Sequence, residues 1–159
     1  EVYTGHLVQD EIDEPRRFMA TICAVKDPCH RRAVDYGGQR NLPSTHPEYL
    51  WTLLEHDGES ARLVLNLVDP PIPLFRRESF TRALDFLDEW TPKGEVLVHC
   101  SQGYSRAPSI ALCWLAKRRL VIASDSYEAA RGGFLQLFPD YAPGKGIATF
   151  LGSSWGELR

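Results

Sequence analysis

One cysteine and one arginine stand with five residues between them, in the run His99-Cys100-Ser101-Gln102-Gly103-Tyr104-Ser105-Arg106. A cysteine reacts as its thiolate, a form favoured by a helix N-terminus and a neighbouring cation. Val96-Leu-Val98 ahead of the cysteine reads as a short buried strand. Residues 107–119 read as an apolar, buried helix, so Cys100 is expected at the positive end of that helix. Pro108 suits its first turn, where the N–H that proline lacks has no intrahelical partner. Gly103 permits the positive φ that turns successive N–H groups inward as an anion nest. The planar fork of Arg106 can hold two oxygens of a phosphate. Together these parts would bind a phosphate and attack it.

A bare Cys-x5-Arg spacing also arises by chance, in a strand–loop–helix junction with an incidental cysteine and arginine. The preceding strand, His99, Gly103 and the apolar helix are separate requirements of the chemistry, and all are present.

The motif resembles the His-Cys-x5-Arg signature of the cysteine-dependent protein tyrosine phosphatase superfamily, and within it the compact dual-specificity phosphatases. The resemblance spans residues 62–151, whereas residues 1–60 carry no motif that anchors them to the family. It implies a central, mostly parallel sheet of about five strands flanked by helices. It also implies a cysteinyl-phosphate intermediate on Cys100, with no metal and no cofactor. Arg106 and the loop residues Ser101, Gln102, Gly103, Tyr104 and Ser105 would bind the phosphate oxygens.

A departing alkoxide or phenolate needs a proton, which the family supplies from an aspartate roughly thirty residues before the cysteine. Asp69 lies 31 residues before Cys100, after an apolar strand-like run and before the proline-rich Pro70-Pro71-Ile72-Pro73. Asp85 and Asp88 compete, but both sit on an amphipathic helix, where solvated carboxylates are ordinary. The competing reading of Asp69 is a turn residue before Pro70. The chain departs from most relatives after the arginine, where Ala107 replaces a Ser or Thr whose hydroxyl helps the thiolate leave. The phosphatase-of-regenerating-liver group shares Arg-Ala-Pro there but ends in a prenylation box, which the terminal Gly-Glu-Leu-Arg is not. Formation of the phosphoenzyme is therefore expected to be intact and its hydrolysis slow.

The surrounding elements must hold these groups. At 159 residues the chain is expected to form a single phosphatase domain, with its catalytic part over 62–151 and an N-terminal part over 1–60 of unassigned role. Weak strand patterns cover residues 2–8 and 18–25, separated by the largely charged segment 10–17. Residues 26–47 read as loop, and 49–55 as a short helix ending at Asp57-Gly58. A buried strand is expected at 62–68, an amphipathic helix at 77–90, and helices near 127–137 and 147–151. Strands alternating with helices argue for an α/β sheet covered on both faces.

A net charge of −3 argues against nucleic acid or an anionic membrane as the default partner. The longest apolar run, residues 110–116, falls far short of a membrane span. No signal peptide is expected, and a first residue of Glu rather than Met points to a trimmed start. Cys23 and Cys29 read as small apolar residues and Cys113 as a core residue, so a reducing cytoplasm is the expected compartment. His99 is expected to make structural hydrogen bonds, and Tyr104 to line the pocket rim or pack on the surface. Lys117-Arg118-Arg119 reads as a solvated helix end, and Arg76-Arg77 as cations that could attract an anionic substrate.

The expected activity is hydrolysis of phosphotyrosine, extending to phosphoserine and phosphothreonine, in a phosphorylated protein. The alternatives are a lipid or nucleic-acid phosphate as substrate, or a phosphate-binding module of low turnover. No lysine lies between Cys100 and Arg106, which disfavours a highly charged inositol phosphate. A sulfurtransferase would need neither Arg106 nor Asp69. The sequence assigns no oligomeric state.

Overall fold

The computed structural model describes residues 2–6, 18–56 and 58–158, with residues 3–6 described by their backbone alone. The charged segment 10–17 lies outside the described residues. Five strands form one sheet: β1 (Val2–His6), β2 (Ala20–Cys23), β3 (Trp51–His56), β4 (Ser60–Leu65) and β5 (Val96–Cys100). Their spatial order is β1-β5-β2-β4-β3. The first four of that series run parallel, and β3 is antiparallel to β4. This is the mostly parallel α/β sheet expected from the sequence.

β5 lies between β1 and β2, and all five of its residues are buried. A parallel strand covered on both faces reads as a continuous apolar run, as Val96-Leu-Val98 does. Side chains alternate along it, so Val96, Val98 and Cys100 share one face while Leu97 and His99 share the other. Four helices follow the pattern of apolar spacing: α1 (Arg77–Trp90), α2 (Arg106–Lys117), α3 (Tyr127–Leu137) and α4 (Lys145–Ser154). α1 buries Phe80, Ala83, Leu84, Leu87 and Trp90, the residues at helical spacing. α2 is buried along most of its length and contacts β5, α1 and α3. Burial holds the Cys113 thiol up to about 12, as expected for a packed core residue.

The structure corrects several expectations. Residues 49–55 do not form a helix, because Trp51–His56 pairs antiparallel with β4 in the register Trp51↔Leu65 to His56↔Ser60. The apolar Leu53-Leu54 has helical propensity, but a neighbouring strand supplies a full ladder of hydrogen bonds and overrides it. The strand expected at 62–68 is shifted, with β4 ending at Leu65. Cys23 and Cys29 are not independent apolar residues; they form a disulfide, which removes the reducing-compartment argument drawn from unpaired cysteines.

The region 26–47 is more ordered than a plain loop. Helical segments at Lys26–His30 and Arg31–Ala33 lead to a small second core of Val34, Tyr36 and Leu42, with Tyr49 packed against it. His30 Nδ1 and Tyr36 Oη share a hydrogen bond of 2.7 Å. Arg31 donates to the carbonyls of Gln39 and Arg40 at 2.9 and 2.7 Å and lies over the Tyr36 ring. Residues 18–56 thus supply two of the sheet's strands and a folded wall beside them.

Candidate active site

The loop 101–105 joins the carboxyl end of β5 to the first residue of α2. Cys100 is 1% exposed and its sulfur is not in a disulfide. The Gly103 N–H donates to Cys100 Sγ at 3.3 Å, and Gly103 has a φ of 80°. That left-handed conformation turns the loop back over the sulfur and strains any residue with a Cβ. Among the described residues, the N–H groups of Gln102, Tyr104, Ser105 and Arg106 donate to no backbone carbonyl. These donors lie at the N-terminus of a 12-residue helix, so they and the helix dipole favour an anion in front of the sulfur.

Arg106, the first residue of α2, is oriented by two hydrogen bonds. Its Nη2 donates to Ser101 Oγ at 2.9 Å and its Nη1 to the Leu67 carbonyl at 3.0 Å. Its Nε is buried and without a partner among the described residues. Ser105 is buried, and its Oγ accepts the Gly144 N–H at 2.9 Å. The Ala142 N–H donates to the Tyr104 carbonyl at 3.0 Å. A strap ahead of α4 therefore braces the loop from outside. Within the strap, Tyr141 Oη bonds Ser109 Oγ at 2.9 Å and Tyr127 Oη at 3.1 Å, all three groups being buried. The sequence reading missed this strap, because its partners are far apart in the chain and each residue alone is unremarkable in type.

Asp69 lies two residues beyond Leu67, the Arg106 acceptor, and is exposed. Its carboxylate packs on Gly144, where an added Cβ would overlap it. A Cβ on Gly146 would likewise overlap the carbonyl oxygens of Pro70 and Ile72. The Asp69 loop thus rests on the start of α4, which also braces the sulfur loop. The competing aspartates both lie on α1. Asp88 accepts from Arg118 Nε at 2.9 and 2.8 Å and from Trp114 Nε1 at 2.8 Å. Burial raises the Asp88 pKa, but the hydrogen bonds from Arg118 and Trp114 outweigh it and hold the carboxyl below its usual range. Asp85 is exposed on α1.

His99 departs from expectation. It is fully buried, yet neither ring nitrogen has a hydrogen-bond partner among the described residues. Burial, and next the Arg62 guanidinium, lower its pKa to about 4, so the ring is neutral at neutral pH. Its side chain is on the opposite face of β5 from Cys100, in register with Cys23. Tyr104 is 39% exposed at the rim, with its hydroxyl donating to Gln102 Oε1. The 117–119 cluster is only in part a solvated end, since Arg118 is tied to Asp88 and Lys117 lies over the Trp155 ring. Arg77 is paired with Glu157, whereas Arg76 pairs with no carboxylate among the described residues.

A buried sulfur that accepts a loop N–H at the start of a helix, with a guanidinium anchored to the adjoining residue, can bind a tetrahedral oxyanion and attack its centre. No protein-family model matches the sequence. Solved structures do match its fold. The crystal structure of Tk-PTP in the active form is 19% identical with a TM-score of 0.65, over 99% of this chain and 92% of that one. PTPMT1 in complex with PI(5)P is 15% identical with a TM-score of 0.63, over 99% and 91%. Human DUSP28 is 14% identical with a TM-score of 0.60, over 98% and 90%. The fold is that of the dual-specificity phosphatases in the protein tyrosine phosphatase superfamily.

Proposed function

We propose that this chain, with its dual-specificity-phosphatase-like fold, is a single-domain cysteine-dependent phosphomonoester hydrolase acting on phosphotyrosine and, by extension, phosphoserine and phosphothreonine in proteins. The observation that carries the reading is the Gly103 N–H aimed at Cys100 Sγ, with Arg106 anchored beside it at the start of α2. Cys100 Sγ attacks phosphorus, and the bond from phosphorus to the leaving oxygen breaks. Asp69, protonated, gives its proton to that oxygen. Arg106 and the N–H groups of Ser101, Gln102, Gly103, Tyr104 and Ser105 hold the equatorial oxygens as their charge changes. Water then attacks phosphorus, the Asp69 carboxylate takes its proton, and the thiolate leaves with phosphate released.

A second reading, a phosphate-binding module of low turnover, is favoured by Ala107, which is fully buried where a hydroxyl would assist the thiolate's departure. A lipid phosphate remains a comparison substrate because PTPMT1, of similar fold, was crystallised with PI(5)P. Hydrolysis of a generic aryl phosphate tests the first reading. It is expected in the wild type, to be inhibited by vanadate and to be lost in Cys100→Ser. Activity that survives Cys100→Ser would overturn the mechanism. Stoichiometric phosphate binding without turnover would favour the module.

A further inference from the structure

A groove of about 550 Å³ opens beside the candidate active site, between the segment 41–50 and the loop 66–76. Its polar lining includes Lys26, Asn41, Tyr49, Asn66 and Arg76, and no Asp or Glu lines it. The groove begins where the phosphate loop is anchored. Leu67 lines it, and the Leu67 carbonyl accepts both the Arg106 guanidinium at 3.0 Å and the Lys26 N–H at 2.9 Å. Val68, the next lining residue, directly precedes Asp69.

Two cations, Lys26 and Arg76, line this groove. Lys26 Nζ is held by the Asn41 side-chain oxygen, and among the described residues neither Lys26 nor Arg76 pairs with a carboxylate. Arg76 also stands at the N-cap of the 14-residue α1, whose dipole adds positive potential there. In a chain of net charge −3, two cations without acidic partners facing one groove mark a place for a negative group. The rest of the lining suits a peptide. Asn66 Nδ2 donates to the Tyr49 carbonyl, which leaves the amide oxygen of this lining residue as an acceptor that a peptide N–H could use. Val68, Leu74 and Phe75 supply apolar wall for side chains.

We infer that this groove is a subsite for an anionic side chain, carboxylate or phosphate, carried by a peptide substrate close to the phosphorylated residue that enters the Cys100 loop. The inference rests on the phosphatase reading and adds a sequence preference to it. Lys26 and Arg76 are its specificity-determining residues, and both come from segments outside the Cys-x5-Arg motif.

The test compares kcat/KM for phosphotyrosine peptides that differ in one residue, which is Gln, Glu or phosphoserine at successive positions on either side. A generic aryl phosphate and a bisphosphorylated inositol lipid in neutral phospholipid vesicles are run alongside. At least one position is expected to favour Glu or phosphoserine over Gln by about tenfold at low salt, the yield of two exposed cation contacts. The Glu and phosphoserine arms distinguish carboxylate from phosphate. The preference should shrink at high salt and approach unity in the Lys26→Gln/Arg76→Gln double variant. Because the readout is a ratio of two substrates on one enzyme, a general loss of activity in the variant cancels. Equal kcat/KM for all peptides, with the aryl phosphate hydrolysed, would overturn this inference and leave the phosphatase reading standing. So would a preference unchanged in the double variant, or an inositol lipid that outcompetes every peptide. Failure to hydrolyse the aryl phosphate as well would sink the phosphatase reading itself.

Discussion

Gly144 packs against the Asp69 carboxylate: a Cβ built on residue 144 would lie 3.0 Å from Asp69 Cγ and 3.3 Å from Oδ2. The same glycine donates its N–H to Ser105 Oγ in the sulfur loop. One small residue therefore spaces the candidate acid from the candidate phosphate cradle. Gly144→Ala is expected to push Asp69 aside and to resemble Asp69→Asn. Both should slow hydrolysis of aryl phosphates with poor leaving groups far more than those with good ones. Loss of a general acid costs about 10²–10⁴-fold, and its displacement about tenfold to a hundredfold. Steady-state rates across a series of phenol leaving groups check this. A uniform loss across the series would place the acid elsewhere.

Ala107 is expected to limit the second chemical step. Rapid mixing with an aryl phosphate should show a burst of phenol followed by slow turnover. Ala107→Ser should raise the steady-state rate and reduce the burst, with the first step little changed. The methyl is fully buried, and a hydroxyl adds little volume, so the variant should fold. No gain in turnover would reject a slow dephosphorylation step.

The buried hydroxyl chain Ser109–Tyr141–Tyr127 should contribute to stability. Burial raises the Tyr141 hydroxyl well above the ordinary tyrosine range, so it stays protonated and serves as a link in the chain. Tyr141→Phe keeps the ring, whose centroid is 5.2 Å from that of Phe134, but leaves two buried hydroxyls short of a partner. The expected cost is about 1–3 kcal/mol in urea unfolding. A change near zero would mean that the two remaining hydroxyls find other partners.

His99 should make the fold sensitive to acid. The unfolded chain takes up a proton on this side chain as the pH falls through about 6.5. The folded chain resists until about 4. Stability is therefore unaffected by His99 above that window and falls as the pH drops through it. The loss reaches about 3 kcal/mol at most. Urea unfolding at neutral and mildly acidic pH should show a smaller pH dependence in His99→Gln than in the wild type. Equal slopes in the two proteins would show that His99 is not the responsible group.

Much of the candidate site was legible in the chain because its chemistry is packed into one contiguous segment. The strand Val96–Cys100, the positive φ of Gly103 and the helix from Arg106 are set by short-range backbone preferences, and they occur where the residue types indicate. The spacing of Phe80, Ala83, Leu84, Leu87 and Trp90 likewise marked α1 to its ends. Asp57-Gly58 between two apolar runs was a hairpin signal, and weighing it against the helical propensity of Leu53-Leu54 would have found β3.

The sequence by itself determined the order strand, sulfur loop, helix, and with it the class of chemistry, because neighbouring residues fix one another's geometry. Only the tertiary structure decided what surrounds that loop. It paired Trp51–His56 with β4, bonded Cys23 to Cys29, set Asp69 on Gly144, and turned Lys26 and Arg76 toward one groove. Each of these joins depends on which sheet edge, helix start or loop a distant residue meets. Such meetings follow from packing of the whole core, which no local pattern of residue types encodes.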